Sequence, residues 1–309
     1  MSALGGRRAA TAGLGLLGDR LLGEPPRFHP VAGFGTTMGK VEQRIWRDDR
    51  GAGVAYTAAG LALGAAAGAA TRSTAAAVAV SVAGKELRRV AHAIGERCTA
   101  GDLDGARAAL PALVGRDPSG LDESGIAAAV IESLAENSVD GVVAPAMWGA
   151  VGGAPGAAAY RAINTMDSMV GNHSDRYENF GWASARLDDV ANLVPARVLA
   201  LLVAAVTPRR TTAIASAIRT QAPAHPSPNA GIAEASVAAA LGVELGGTLR
   251  YGDRVEHRPT LGTGPRPITA DIDRAIRLVD RVELLLTGML IAPASLAMIR
   301  RRGRSGVAT

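Results

Sequence analysis

Apolar residues gather in long runs along this chain, and polar residues crowd the ends of those runs. The runs lie near residues 9–18, 52–84, 141–160, 190–206 and 284–299. The run from Gly141 to Tyr160 carries no formal charge for twenty residues, which is close to the length that an α-helix needs to cross the hydrocarbon core of a bilayer. By this criterion of length, the pattern predicts about four or five membrane-embedded helices.

The run over residues 52–84 predicts two helices joined by a tight turn. A polar step at Arg72 interrupts the run and indicates the tip of a helical hairpin. Gly60, Gly64 and Gly68 are spaced four residues apart and therefore lie on one helix face. A face without side chains lets the backbone of another helix approach closely.

Composition favours helices throughout. The chain is 48% hydrophobic but only 3% aromatic, and it contains 38 glycines. Strands favour β-branched and aromatic residues in alternation, and little of that alternation is present. We therefore expect an all-α, polytopic membrane protein that forms a single domain over residues 1–309. Its polar helices and loops, including a polar loop region at residues 207–282, are expected to form a site at the membrane boundary.

The charge of the chain narrows the choice of partners. The net charge is +5, and Lys40 and Lys85 are the only lysines. Because aromatic residues for base stacking are few and no recognition motif is present, we expect no nucleic-acid partner. The lipid bilayer and phosphate groups are the expected partners of the arginines. The last apolar run is followed by Arg300, Arg301, Arg302 and Arg304. This basic tail predicts a cytoplasmic C-terminus in a multi-pass protein of the cell membrane.

Acidic side chains collect just before the uncharged run. A helix is predicted from Asp122, as its N-cap, to Glu136, and it places Glu132 and Glu136 one turn apart on the same face. Asn137 and Asp140 follow directly. Two like charges in this arrangement are tolerated by solvation, by a cation or by arginines such as Arg116. A solvated acidic face remains the alternative.

Two further helices are predicted to carry a polar arc opposite an apolar side. The arcs comprise Arg161, Asn164, Asp167 and Ser168 on one helix, and Arg186, Asp188, Asp189 and Asn192 on the next. The apolar sides comprise Ile163, Met166 and Val170, and Leu187, Val190, Ala191 and Val194. Paired carboxylates with neighbouring amides suit Mg²⁺, and arginines suit phosphates through paired hydrogen bonds.

Standard catalytic fingerprints are missing from the sequence. GFGTTMGK departs from the P-loop at Phe34 and Val41, so any ATP must bind in another way. There is no GxSxG elbow and no HExxH motif, and the five histidines show no metal-ligand spacing. Cys98 is the only cysteine, which excludes an intramolecular disulfide and a cysteine-based zinc site.

Six ordered blocks carry a resemblance to a known family. They are GDRLLGEPPRFHPV from Gly18, GRD from Gly115, ESLAENSVDGVVAP from Glu132, YRAINTMDSMVG from Tyr160, RYENFGWASARLDDVANLVPAR from Arg176 and HPSPNAGIAEA from His225. In these blocks the chain resembles the adenosylcobinamide-phosphate synthases of cobalamin biosynthesis, known as CobD or CbiB. The resemblance implies a membrane ligase that joins adenosylcobyric acid to (R)-1-aminopropan-2-ol or its O-phosphate. The carbon–nitrogen bond formed is an amide at a propionate of the corrin ring.

Roles for the polar residues follow as a hypothesis from this resemblance, with ATP and Mg²⁺ as inferred cofactors. The metal ligands would be Asp140, Asp167, Asp188 and Asp189. The catalytic residues would be Glu132, Glu136, Asn137, Arg161 and Arg186, with Glu132 or Glu136 as the base. Phosphate or carboxylate groups would be bound by Arg116, Asn164, Ser168 and Arg176. Substrate contacts would be His225, Ser227, Asn229 and Glu234.

Other readings of the same pattern stay open. A transporter or a non-catalytic membrane sensor would also place polar residues beside apolar helices, although no internal repeat typical of transporters is present. A membrane alcohol phosphotransferase is disfavoured because its repeated-aspartate helix is absent. The sequence leaves open a homo-oligomer or an assembly with other cobalamin-pathway enzymes.

Overall fold

A computed structural model describes residues 3–23, 29–115, 117–251 and 254–305, and these are mostly helical. In chain order the α-helices are α1 (Ala3–Leu22), α2 (Pro30–Ile45), α3 (Arg50–Thr71), α4 (Thr74–Ser81), α5 (Gly84–Thr99), α6 (Leu103–Ala109), α7 (Glu123–Ser138), α8 (Ala144–Val170), α9 (Trp182–Val206), α10 (Thr211–Thr220), α11 (Ala230–Leu241) and α12 (Thr269–Ser305). The strands are β1 (Leu245–Tyr251) and β2 (Arg254–Leu261). The predicted helical character is confirmed.

Contacts among residues divide the chain into two compact units, where the sequence suggested one domain. The first unit comprises residues up to 83, residues 144–191 and residues from 284 onward. The second unit comprises residues 84–143 and 192–283. The division arises because each unit buries its own set of helices. In the first unit α3 and α4 pack on α8, and in the second α10 and α7 pack on α11.

The predicted hairpin of the first unit is confirmed. Asp49 caps the start of α3, where its Oδ2 accepts the backbone N–H of Ala52 at 2.9 Å. The helix ends at Arg72, which adopts a left-handed conformation with φ 53°. The Ser73 side chain then caps α4 by accepting the N–H of Ala76 at 3.2 Å. Both caps satisfy backbone donors that a helix end leaves without partners.

The glycines of α3 let α8 approach without intervening side chains. A Cβ atom added at Gly64 would stand 2.5 Å from the Cβ of Ala162, and one added at Gly68 would stand 2.4 Å from the carbonyl oxygen of Ala154. A Cβ atom added at Gly60 would stand 2.2 Å from the sulfur of Met166. The predicted close approach is therefore confirmed, and it brings α3 against α8.

The predicted N-cap of α7 is confirmed, because Asp122 Oδ1 accepts the N–H of Gly125 at 2.7 Å where α7 begins.

The uncharged run at residues 141–160 does not form one straight helix. After α7 a π turn covers Val139–Val143, and α8 breaks at Gly153, with φ 68° and ψ −153°, just before Pro155. Glycine tolerates this conformation, and proline cannot donate to the preceding turn.

Helix α9 turns part of its predicted apolar side outward. Val190 and Val194 are 63% and 60% exposed, whereas Asn192 is 2% exposed. Within the described residues, α3 and α9 are the two helices long and apolar enough to cross a membrane. Residues 284–299 continue the same helix, α12, and the side chains from 293 onward, including the basic tail, lie outside the described part.

Residues 207–282 form helices and a hairpin, which corrects the expectation of a polar loop region. Every residue of α11 after Ala230 is buried, because its alanine-rich sequence packs between α7 and α10. Strands β1 and β2 pair in antiparallel fashion with Gly247 opposite Arg258, so the fold is not entirely α-helical. Gly246 has φ 81°, and a Cβ atom there would stand 2.2 Å from the carbonyl oxygen of Pro259. This close pairing explains a hairpin without β-branched alternation.

Substitution of Gly64 by leucine is expected to lower the unfolding temperature of the protein in detergent, because the new side chain collides with Ala162. Overpacking of this kind costs about 1–3 kcal/mol. The matched control is Gly288→Leu, since Gly288 lies in α12 with open space around its Cα. Thermal unfolding at equal temperatures for Gly64→Leu and wild type would show that the glycine face tolerates side chains.

Candidate functional site

The predicted site residues gather in two clusters, one within each unit. The first, named the α8–α9 cluster, comprises Arg161, Asn164, Asp167, Asp188 and Asp189. The second, named the α7–α11 cluster, comprises Glu132, Glu136, His225, Glu234 and Arg258. Arg116 lies outside the described residues, so its predicted role stays a prediction. Asp140, predicted as a metal ligand with the aspartates of the first unit, lies in the π turn of the second unit.

In the α8–α9 cluster, the side-chain amide of Asn164 bridges Arg161 and Asp188. Asn164 Oδ1 accepts from Arg161 Nη1 at 3.2 Å, and Asn164 Nδ2 donates to Asp188 Oδ1 at 3.4 Å. Asn164 is 8% exposed. The Nε of Arg161 is buried and has no hydrogen-bond partner among the described residues. The arrangement therefore holds a donor that can still serve an anionic oxygen.

The surroundings of Asp167 disfavour its ionised form. Burial, followed by the charges of Asp188 and Asp189, raises the pKa of Asp167 to about 7. Asp189 is also reached by Arg186, whose Nη1 donates to its Oδ2 at 3.4 Å. The oxygens of these three carboxylates are the hard ligands that Mg²⁺ prefers, so the residues fit a magnesium ion by donor type. Among the described residues, the acids and histidines placed closely enough to share one ion are Glu136, His225 and Glu234 of the α7–α11 cluster.

Arg161 also lines an apolar cavity of about 170 Å³ within the first unit. Phe34 of α2, Gly64 of α3, Val80 of α4 and Ala158 of α8 are among the other lining residues. The cavity exists because small residues on α3 and α8 leave space beside their contact. It places one guanidinium at the wall of an otherwise apolar space.

Arg176 and Ser168 are engaged by the protein itself. Arg176 Nη2 donates to Glu42 Oε1 at 3.0 Å, and the same oxygen accepts from the Tyr177 hydroxyl at 2.9 Å. The Arg176 guanidinium lies 4.5 Å from the centre of the Trp46 ring. The Ser168 hydroxyl donates to the carbonyl of Asn164 at 3.0 Å. These contacts give both residues a structural role, and their predicted phosphate binding stays a prediction.

Helix α7 supplies Glu132 and Glu136 to the α7–α11 cluster. Glu132 is 2% exposed, and its Oε1 accepts the N–H of Gly246 at 2.8 Å. The side chain of Glu136, one turn later, is 37% exposed. The Asn137 amide donates to the carbonyl and the hydroxyl of Ser133, both at 3.0 Å. Helix α7 thus places Glu132 against β1, and Glu136 is the more accessible of its two carboxylates.

His225 and Glu234 meet in the interior of the second unit. Nε2 of His225 lies 3.5 Å from Oε1 of Glu234, and the two side chains are 2% and 1% exposed. Arg258 Nη1 lies 3.7 Å from Glu136 Oε1 and 3.8 Å from Glu234 Oε1. Burial, followed by the charges of Glu136 and Glu132, raises the pKa of Glu234. Burial, followed by the charge of Arg258, lowers the pKa of His225.

Ser227 and Asn229 shape the loop that presents His225. The Ser227 hydroxyl accepts the N–H groups of Asn229 and Ala230 at 3.3 and 3.2 Å, just before α11 begins. Asn229 Oδ1 accepts from Arg197 Nη1 at 3.3 Å. The predicted contact of Ser227 and Asn229 with substrate stays a prediction.

Sequence reasoning did not select Glu42 or Arg258. Glu42 is a buried acid in α2, and only its contact with Arg176 reveals its importance. Arg258 belongs to a strand within a segment expected to be a loop. No motif or periodicity in the sequence distinguishes this arginine from the others, so only the tertiary structure could have identified it.

Comparison with known proteins identifies the family. The family model described as CobD/Cbib protein matches residues 12–279. The cobalamin biosynthesis protein CobD of Mycobacterium tuberculosis H37Rv is 43% identical over 92% of this chain and 96% of its own length. CobD of Chromobacterium violaceum is 41% identical over the same shares, and CobD of Rhodobacter capsulatus is 51% identical over 67% of this chain and 65% of its own length. No solved structure matches the chain. The chain therefore belongs to the CobD/Cbib family of cobalamin biosynthesis.

Proposed function

We propose that this chain is the amide-forming synthase of the cobalamin pathway. It joins adenosylcobyric acid to (R)-1-aminopropan-2-ol, or to the O-phosphate of that amine, and forms adenosylcobinamide or its phosphate. The observation that carries the proposal is the α8–α9 cluster, where three carboxylates lie beside an arginine with an unused buried donor. Such a site suits a cation and phosphate oxygens together, as an ATP-dependent ligation requires.

ATP supplies the phosphoryl group that turns a carboxylate oxygen into a leaving group, and Mg²⁺ supplies positive charge beside the phosphates. In our proposal Asp167, Asp188 and Asp189 hold the cation. Arg161 and Arg186 donate hydrogen bonds to phosphate or carboxylate oxygens. Fixed donors of this kind stabilise charge that develops in the transition state without reorganising.

The α7–α11 cluster is proposed to contact the organic substrates and to remove the proton that the attacking amine must lose. Glu132 is held by the backbone of Gly246, whereas the Glu136 side chain is 37% exposed. Glu136 is therefore the better placed of the two acids to accept a proton from a ligand. Asn137, bonded to Ser133, helps to fix the end of the helix that presents Glu136.

We further propose that the protein spans the cell membrane several times, with a cytoplasmic C-terminus. Helices α3 and α9 have the required length and apolar character. On α9 the apolar side chains of Val190, Val194 and Leu201 are at least 60% exposed, while Asn192 is buried. An apolar exterior around a polar interior is the arrangement that suits lipid.

The proposed activity is tested by incubating the purified protein with ATP, Mg²⁺, adenosylcobyric acid and each amine in turn. We expect an amide product whose mass identifies the amine used, and no product when ATP is omitted. The result also distinguishes a synthase from a sensor or a transporter. A folded protein that forms no product with either amine would contradict the proposed function.

Replacement of Asp167 by asparagine is expected to lower turnover about a hundredfold or more, comparable to the loss of one transition-state contact of ~3 kcal/mol. The substitution keeps the side-chain size and removes the charge that binds the cation. Added Mg²⁺ is expected to restore part of the activity. The matched control is Asp273→Asn, an exposed acid of α12. Equal turnover in folded Asp167→Asn and wild type would exclude Asp167 as an essential ligand.

The protein is expected to remain with membranes after a wash in high salt. Salt at 1 M screens charges beyond ~3 Å, so the wash releases proteins held by arginine contacts with anionic lipid. Buried apolar helices are unaffected by such screening, and only detergent is expected to release them. Recovery of the protein in the salt wash, measured by immunoblotting, would contradict membrane insertion.

A further inference from the structure

Two buried atoms of the α7–α11 cluster lack the hydrogen bonds that burial normally requires. Nε2 of His225 and Oε1 of Glu234 have no hydrogen-bond partner among the described residues, and their side chains are 2% and 1% exposed. A buried polar atom without a partner destabilises the folded state. Such atoms in a folded protein call for an explanation, and a ligand that supplies the missing contact is one.

The distances within the cluster fit a common ion. One ligand atom from each of Glu136, His225 and Glu234 lies within 4.8 Å of the other two. The separation of His225 Nε2 and Glu234 Oε1 is 3.5 Å. Two ligand atoms bound at about 2.1 Å to a tetrahedral ion are about 3.4 Å apart. The closest pair therefore already has the spacing of two ligands on one ion.

The other nitrogen of His225 is held by the backbone of Ser227. Nδ1 accepts the N–H of Ser227 at 3.1 Å and lies 3.2 Å from the carbonyl oxygen of the same residue. With Nδ1 as the acceptor, the ring proton lies on Nε2 and points at Glu234, so binding of an ion at Nε2 releases a proton and requires the Nδ1–H tautomer, which donates to the Ser227 carbonyl instead. A backbone carbonyl that accepts from the remote nitrogen fixes both the tautomer and the orientation of a ligating imidazole.

The charges of the cluster leave room for a divalent cation. Glu132, Glu136 and Glu234 interact electrostatically with one another or with His225. Arg258 contributes one positive charge, and its contacts of 3.7 and 3.8 Å with Glu136 and Glu234 are longer than hydrogen bonds. Three ionised carboxylates and one guanidinium leave two negative charges. One divalent cation balances them.

We propose that Glu136, His225 and Glu234 bind a divalent transition-metal ion of the class of Zn²⁺ or Mn²⁺. An imidazole nitrogen among the ligands favours such ions over Mg²⁺, and carboxylate oxygens accept both kinds. The site lies in the second unit, apart from the aspartates proposed to bind Mg²⁺ with the nucleotide. It does not depend on the amide-forming activity. Each glutamate uses one oxygen, so the second oxygen of Glu136 stays available to a substrate.

The test measures metal binding directly and needs no substrate. Protein purified in detergent without a histidine tag is stripped with EDTA and titrated with Co²⁺, whose visible absorption bands report its ligands. In excess Mg²⁺, which occupies the aspartate site proposed for the nucleotide, we expect binding of about one Co²⁺ per chain by elemental analysis, with displacement by Zn²⁺. Absence of these bands in the folded wild type would overturn the proposal.

Variants locate the ion. Glu136→Gln and Glu234→Gln each remove one ligand charge, and the loss of Co²⁺ affinity is expected to exceed the about tenfold to hundredfold loss caused by removing an outer-shell partner. Because Glu136 is 37% exposed, Glu136→Gln is expected to fold even if the buried variant does not. A thermal unfolding measurement on Glu136→Gln checks that this variant is folded.

Two controls distinguish the site from other acids. Glu96→Gln alters a glutamate that pairs with His92 on the exposed surface of the same unit, and it is expected to keep full Co²⁺ binding. Asp167→Asn is expected to keep it as well. Unchanged Co²⁺ binding in folded Glu136→Gln, or loss of binding in Asp167→Asn, would assign the ion elsewhere and overturn the proposal.

Discussion

The close contact between α3 and α8 determines the geometry of the first unit. Gly64 and Gly68 carry no side chain, so the backbone of α3 lies directly on Ala158 and Ala162 of α8. Dispersion attraction falls off steeply with distance, so many atom pairs of α3 and α8 attract one another at this short separation. Asn164 follows on the same helix, so the position of the polar arc depends on this contact.

Both units face the same electrostatic problem, which is the burial of carboxylates among apolar helices. In the first unit Asp167 lies close to Asp188 and Asp189, and in the second Glu234 lies close to Glu136. Ionised groups lose their hydration on burial, so they require a partner, a proton or a bound cation. Such destabilising arrangements are found at functional sites.

The hairpin between β1 and β2 illustrates how a local rule can mislead. The sequence shows little alternation of β-branched residues, yet a hairpin forms, and Gly246 permits the close backbone approach where its register shifts. Helix α9 shows what spacing leaves open. Its polar arc and apolar side were predicted, but spacing does not say which of them lies inside, and the fold turns Val190 and Val194 outward and buries Asn192. A lipid environment removes the reason for apolar side chains to turn inward.

The sequence by itself determined the local features and the family. The cap at Asp122, the turn at Arg72 and the glycine face of α3 all depend on residues within one or two helical turns, so spacing alone predicts them. Tertiary structure alone decided which polar residues meet. Glu136, His225 and Arg258 come from distant segments, and only the packing of the whole second unit brings them together. Periodicity describes one element at a time, and it therefore carries no information about such contacts.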